Sequence, residues 1–186
     1  MELNGETLRF IREHCKDDVR SLALQAPKYP DVDMPVALTQ IAGRQAAAEK
    51  IPSWHEEEGV LYPRHLSLEQ CSSEATARYK ASIIPESSSG TLTDLTGGFG
   101  IDCAFLSPKF HHVTYVERQE VLCEIASHNF PLLGLNHIRI ENKDGIRYLQ
   151  EMSSVDWIFI DPARRDGHGG GDRAVRLLPL PTVNRM

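Results

Sequence analysis

The chain has 186 residues, of which 41% are hydrophobic and 25% charged, and its formal net charge is -6 at pH 7. That length and apolar content suit one domain of ordinary size with an appendage and exclude a disordered chain. The acidic balance argues against a chain-wide surface for polyanions but leaves room for a local basic patch. The cysteines, Cys15, Cys71, Cys103 and Cys123, form no C-x-x-C pair, so a zinc ribbon is disfavoured. A disulfide scaffold does not suit a chain this long, and the thiols read as reduced and mostly buried. Met1 to Arg12 mixes charges too freely for a signal sequence, and no apolar run approaches the roughly 20 residues of a membrane span. The expectation is a cytoplasmic protein with no membrane partner.

The first part of the chain is patterned for helices. Leu8, Ile11 and Cys15 share one helical face, and Val19, Leu22 and Ala26 share another. Pro27, Pro30 and the Asp31 to Asp33 segment interrupt the pattern. Asp33 then caps a helix with Pro35 in its first turn, which carries Ile41 and Ala48 and ends before Pro52. Ile51 to Pro63 reads as a loop with a solvated acidic run at Glu56 to Glu58, and a last helix spans about Ser73 to Ile84. Pro85 to Gly90, Pro-Glu-Ser-Ser-Ser-Gly, is a turn-rich joint. It separates a helical region, 1–85, from a second region, 86–171, and 172–186 forms an atypical tail.

Beyond the joint, strands alternate with helices. Strands are expected at Thr91 to Leu95, Val113 to Glu117, His137 to Glu141 and Val155 to Ile160. Helices are expected at Ile101 to Leu106, Gln119 to Asn129 and Ile146 to Met152. This rhythm implies βαβ units and an α/β fold with a parallel sheet covered by helices on both faces. The fourth strand is almost wholly apolar, as a central parallel strand should be. Ligands of such sheets bind at the carboxyl ends of the strands, and here those ends carry Asp94, Glu117, Asp144 and Asp161. A single such acid would be unremarkable, since Asp often starts a turn or caps a helix; four in succession are hard to assign to packing alone.

The sharpest local signal is Asp94-Leu95-Thr96-Gly97-Gly98-Phe99-Gly100-Ile101-Asp102, a strand end, a glycine turn and a helix start. Glycines let backbone approach a ligand, and a helix start offers unpaired N–H donors. A dinucleotide fold wants G-x-G-x-x-G, but after Gly98 and Gly100 the third position is Cys103, which counts against a nicotinamide-dependent oxidoreductase. The D-x-x-x-G-x-G arrangement from Asp94 resembles the first motif of Rossmann-like S-adenosylmethionine-dependent methyltransferases. In that setting Asp94 attracts the ammonium of the cofactor and the turn N–H groups receive its carboxylate. Glu117, about 20 residues beyond the turn, can accept both ribose hydroxyls, or be an exposed strand-end acid. Arg118 either lies against the adenine or faces solvent. Asp144 is placed to accept from the exocyclic amine of an adenine and Gly145 to let backbone approach the ring, unless the pair is an ordinary Asp-Gly turn. Asp161-Pro162-Ala163-Arg164 closes the fourth strand: Asp161 could accept a hydrogen bond or proton from a substrate, and Arg164 could clamp a phosphate or carboxylate. The pattern of enzymes that methylate base amino groups has an aromatic residue where Arg164 stands, which argues against that chemistry. His111 and His112 have no acids placed to complete a metal site, and the Gly167 to Gly171 segment reads as a mobile loop on the substrate side.

Three segments together resemble a bacterial family of methyltransferases: Cys71 to Ala81, Asp94 to Asp102 and Asp161 to Asp166. That family joins a helical N-terminal region, a Rossmann-like catalytic fold and a C-terminal THUMP-like domain. The resemblance implies S-adenosyl-L-methionine as cofactor, held by Asp94, Thr96, Gly97, Gly98, Gly100, Asp102, Glu117, Asp144 and Gly145. It implies an acceptor corner at Asp161, Pro162 and Arg164, no metal, and an RNA substrate such as tRNA or rRNA. It also implies that the helix bearing Thr76 and Lys80 closes over the cofactor or the RNA. A complete sheet of this kind has seven strands, whereas four are legible here, and Pro179 and Pro181 disfavour a central strand in the tail. The expectation is therefore a sheet truncated after its fourth strand, with that strand as a bare edge, and either an enzyme or an inactive cofactor- or RNA-binding fragment of one.

Overall fold

The computed structural model describes residues 3–85, 90–161 and 176–179. Its compact units are 1–69 and 70–186. Helices α1 (Gly5–Glu13), α2 (Val19–Leu24), α3 (Met34–Lys50) and α4 (Pro52–Glu56) belong to the first unit, and α5 (His65–Gln70) runs to the boundary. The long helix α3 starts as expected: the Asp33 carboxylate accepts from Val36 N–H at 3.2 Å, and Pro35 occupies the first turn, where its missing N–H costs nothing. Its inward face is Met34, Ala37, Gln40, Ile41, Gly43 and Ala47, so Ala47 rather than Ala48 is buried. On α1 the buried residues are Thr7 and Phe10, while Leu8 is exposed, which shifts the expected apolar face. Phe10, Leu22, Met34, Ala37 and Ile41 form the core of this unit.

The segment after α3 is not the plain loop expected. Pro52 sits at the start of the short helix α4, and Val60, Leu61 and Tyr62 are buried. Tyr62 is held by a side-chain amide acting as a strand partner: Gln40 Nε2 donates to the Tyr62 carbonyl at 2.9 Å, and Tyr62 N–H donates to Gln40 Oε1 at 2.8 Å. Both bonds are buried, so each replaces water that cannot reach the site.

The second unit begins with α6 (Glu74–Ile83), capped by Ser73, whose hydroxyl accepts from Thr76 N–H at 3.2 Å. The sheet follows: β1 (Thr91–Asp94), β2 (His112–Glu117), β3 (Ile138–Asn142), β4 (Trp157–Ile160) and β5 (Arg176–Pro179). Helices α7 (Ile101–Leu106), α8 (Glu120–Leu132) and α9 (Gly145–Glu151) lie between successive strands from β1 to β4. The strand order is β3-β2-β1-β4-β5, with the first four parallel. The α/β class, the four parallel strands and their placement thus match the expectation. The chain moves from β1 outward to β3, then returns across β1 to place β4 on its other side, so a topological switch point lies between β1 and β4.

The bare edge expected at β4 is covered. Strand β5 pairs with it antiparallel, from Trp157 opposite Pro179 to Ile160 opposite Arg176. Pro179 ends an edge strand, a position that tolerates a residue without an N–H donor. No helix among the described residues is long and apolar enough to cross a membrane.

The Gln40 clamp gives a test of the first unit. Gln40→Leu keeps the helix and the volume but removes both buried bonds to the Tyr62 backbone. Urea unfolding followed by Trp54 fluorescence in a Trp157→Phe background is expected to show a loss of about 2–4 kcal/mol.

Candidate functional site

The switch point gathers the strand-end acids. Asp94 closes β1 and is 1% exposed. Its Oδ1 accepts from Thr96 N–H at 2.9 Å, while Oδ2 is buried with no hydrogen-bond partner. Burial pushes the Asp94 carboxyl up to about 7, with the nearby Asp102 carboxylate adding to the rise and the Thr96 N–H and the Lys80 ammonium opposing it. An orphaned carboxylate oxygen in a native fold needs an explanation, and a ligand cation is one.

The glycine turn follows at once. Gly98 and Gly100 adopt φ of +55° and +90°, which a residue with Cβ takes up at a cost. Gly97 has another reason: a Cβ there would come within 2.3 Å of the Tyr115 ring. Tyr115, fully buried on β2, donates its hydroxyl to the Gly98 carbonyl and so props the turn from beneath. Gly97 N–H donates to the Val116 carbonyl at 2.9 Å. Cys103, where a dinucleotide fold would have its third glycine, is buried in α7, and burial pushes its thiol well up. It therefore reads as packing rather than chemistry.

Glu117 closes β2 and is 9% exposed. Its carboxylate accepts from Gly98 N–H at 2.9 Å and from Gln119 N–H at 2.8 Å, which aims it across the turn. Each oxygen keeps a second lone pair, so hydroxyl donors are still accommodated. Asp144 is different: it is exposed and caps α9, with Oδ1 accepting from Ile146 N–H at 3.0 Å and Arg147 N–H at 3.1 Å. Gly145 admits a close backbone neighbour, but that neighbour is the Leu95 carbonyl, which would lie 2.3 Å from a Cβ. Arg118 is exposed.

Asp161, just past β4, lies next to the turn. Its N–H donates to Thr96 Oγ1 at 2.8 Å, and its Oδ2 meets Lys80 Nζ at 2.9 Å. Lys80 also donates to Asp102 Oδ2 at 2.9 Å and Ser72 Oγ at 3.0 Å, and Ser72 donates to Asp102 Oδ2 at 2.9 Å. Asp94, Thr96, Gly97, Gly98, Gly100, Asp102, Glu117 and Asp161 are thus brought to one end of the sheet around the turn, and Asp144 with Gly145 stands at the end of β3. Pro162, Arg164 and the Gly167 to Gly171 segment lie outside the described residues. Among the described residues, no group of three or more His, Cys, Asp or Glu is placed to hold a metal ion.

Sequence reasoning set Lys80 on a helix expected to close over the cofactor or the RNA, but it missed the pairing of Lys80 with Asp102 and Asp161 and the part played by Ser72. A signal was present: Lys80 falls on the same helical face as Ala77 and Ala81, where an apolar residue is expected, and it is 6% exposed. A lysine on a buried face needs carboxylate partners, and acids of the glycine-turn helix and of the strand ends, Asp102 and Asp161, supply them.

The fold is the Rossmann-like methyltransferase fold. A crystal structure from Porphyromonas gingivalis W83, described provisionally as a methyltransferase, superposes with a TM-score of 0.69 at 30% identity, over 89% of this chain and 42% of that one. The 23S rRNA (uracil(1939)-C(5))-methyltransferase RlmD of Chromohalobacter salexigens is 27% identical over 93 residues, covering 50% of this chain and 19% of RlmD. The chain therefore spans less than half the length of either relative. No protein-family model matches it.

The raised Asp94 carboxyl has a consequence for stability. An unfolded Asp loses its proton near 3.8, whereas the folded one keeps it to about 7. Between those values the folded state binds more protons, so stability falls as pH rises, and it levels off above 7. Asp94→Asn removes this dependence. In thermal unfolding the variant is expected to exceed the wild type by about 5 °C at pH 8, with the gap closing towards pH 4.

Proposed function

We propose that this chain binds S-adenosyl-L-methionine at the β1–β4 switch point and belongs to a methyltransferase acting on RNA. The observation that carries the reading is the buried, unpartnered Oδ2 of Asp94 beside a glycine turn in which two residues have positive φ. The cofactor's methionine end bears an ammonium, which suits that oxygen, and a carboxylate, which suits backbone N–H groups of the turn. Glu117, aimed by two backbone donors, takes the ribose hydroxyls. Asp102, in the first turn of α7, adds negative charge beside the ammonium. Asp144 and Gly145 address the adenine from the end of β3. When bound, the sulfonium supplies an activated methyl group; the chain's own part is to orient the cofactor and exclude water.

The acceptor side is assigned to Asp161, with Pro162 and Arg164. Asp161 has an oxygen beyond the one taken by Lys80 and can accept a hydrogen bond from an N–H or O–H of the acceptor. RNA is favoured as acceptor by the partial likeness to RlmD, which is named for a uracil of 23S rRNA, together with the resemblance carried by Cys71 to Ala81, Asp94 to Asp102 and Asp161 to Asp166. Since the chain spans less than half of each relative, methyl transfer itself is part of the proposal.

Titration calorimetry with S-adenosylmethionine tests the reading directly. Wild-type chain is expected to bind, and Asp94→Ala to bind at least about tenfold more weakly. Binding an ammonium requires the ionised form of Asp94, so affinity should rise as pH increases from 6 to 8 and flatten above. Thermal stabilisation by S-adenosylmethionine but not by a nicotinamide dinucleotide would separate this reading from a dehydrogenase. A wild-type chain giving neither heat nor stabilisation with the cofactor overturns it. Transfer of labelled methyl to a total RNA pool then separates an enzyme from a binding fragment.

A further inference from the structure

Lys80 is a cation placed where the fold gains nothing from charge alone. It lies on the buried face of α6 among alanines, and taking an ammonium out of water costs several kcal/mol unless partners surround it. Here all three N–H donors are used, on Asp102 Oδ2, Asp161 Oδ2 and Ser72 Oγ, and the ammonium lies 5.1 Å from the Phe159 ring centroid. Ser72 completes the arrangement by donating to the same Asp102 oxygen. An apolar residue at position 80 would anchor α6 at lower cost. What it could not do is hold two carboxylates together.

Those carboxylates belong to different parts of the site. Asp102 is in the first turn of α7, the helix that continues the glycine turn. Asp161 follows β4, on the far side of the switch point, and is joined to the turn through Thr96: Asp161 N–H donates to Thr96 Oγ1, and Thr96 N–H donates to Asp94 Oδ1. Moving Asp161 therefore disturbs Asp94 as well. Without the ammonium, Asp102 and Asp161 would face each other as like charges.

We propose that Lys80 is the positioning residue of this site: its ammonium clamps Asp161 to Asp102 and so sets the separation between the end of β4 and the start of α7, on either side of the cofactor turn. The inference rests on the methyltransferase reading above and deepens it. All three Lys80 donors are taken by Asp102, Asp161 and Ser72, so its part is to act through those two carboxylates.

The test uses the full chain and S-adenosylmethionine as probe. Lys80→Met keeps the aliphatic stem and removes the charge, and is expected to weaken binding about tenfold or more by calorimetry. Lys80→Ala opens a slot of the right length for propylammonium. Adding that ion is expected to restore much of the lost affinity, while propanol, of similar shape and no charge, restores none. Urea unfolding of Lys80→Met, Asp161→Asn and the double variant gives a readout independent of cofactor, and the two losses should be strongly non-additive. Wild-type affinity in Lys80→Met, equal rescue by amine and alcohol, or additive losses would each overturn the clamp. If the wild-type chain binds no S-adenosylmethionine, the methyltransferase reading fails instead, and the unfolding cycle alone decides whether Lys80 joins the two acids.

Discussion

A single buried ammonium, Lys80 Nζ, meets Asp102 and Asp161 at 2.9 Å each and so ties α6 to the start of α7 and to the end of β4. One helix, one strand end and one helix start converge on it. A buried ion pair is poor evidence of stability, because desolvation offsets most of the Coulombic gain. Its value lies in specificity. A hydrophobic contact can slide, whereas a cation with three directed donors admits one geometry.

The acids around the glycine turn have local duties as well as a proposed ligand. Asp94 holds the Thr96 N–H, Glu117 holds the Gly98 and Gln119 N–H groups, and Asp144 caps α9. The ordinary explanation of a strand-end acid, that it organises a turn, is therefore correct for each. It does not compete with the ligand reading, since a carboxylate offers more lone pairs than a turn consumes. What separates them is burial. Asp94 is sealed from water with one oxygen unpartnered, while Asp144 is exposed and spends Oδ1 on its cap. The case for ligand contact is accordingly strongest at β1 and weakest at β3.

Most of the second unit could be read from the chain. Strand β4 is a short apolar run between Asp156 and Asp161, β1 and β2 are rich in Thr, Val and other β-formers, and the intervening helices carry apolar residues at helical spacing, so local pattern and fold agree. The helical unit was less legible. Leu8 and Phe10 are both apolar and lie on different sides of α1, and only packing against Leu22 and Ile41 selects Phe10. The short helix α4 was obscured by Pro52, which ends one helix and begins the next. Strand β5 was hidden by Pro179 and by Pro181 beyond it in the sequence, since proline counts against a central strand but not against an edge.

The sequence by itself determined the parallel α/β sheet, the glycine turn and the row of acids at the strand ends, because each depends on residues close together in the chain. Only the tertiary structure decided which of those acids meet. Lys80 and Asp161 are 81 residues apart, and no local pattern links them. Their pairing follows from the return of the chain across β1, which brings β4 beside the turn. Once the fold has made that crossing, a lysine on a buried helical face finds partners that lower the cost of its charge, and the site takes its shape around them.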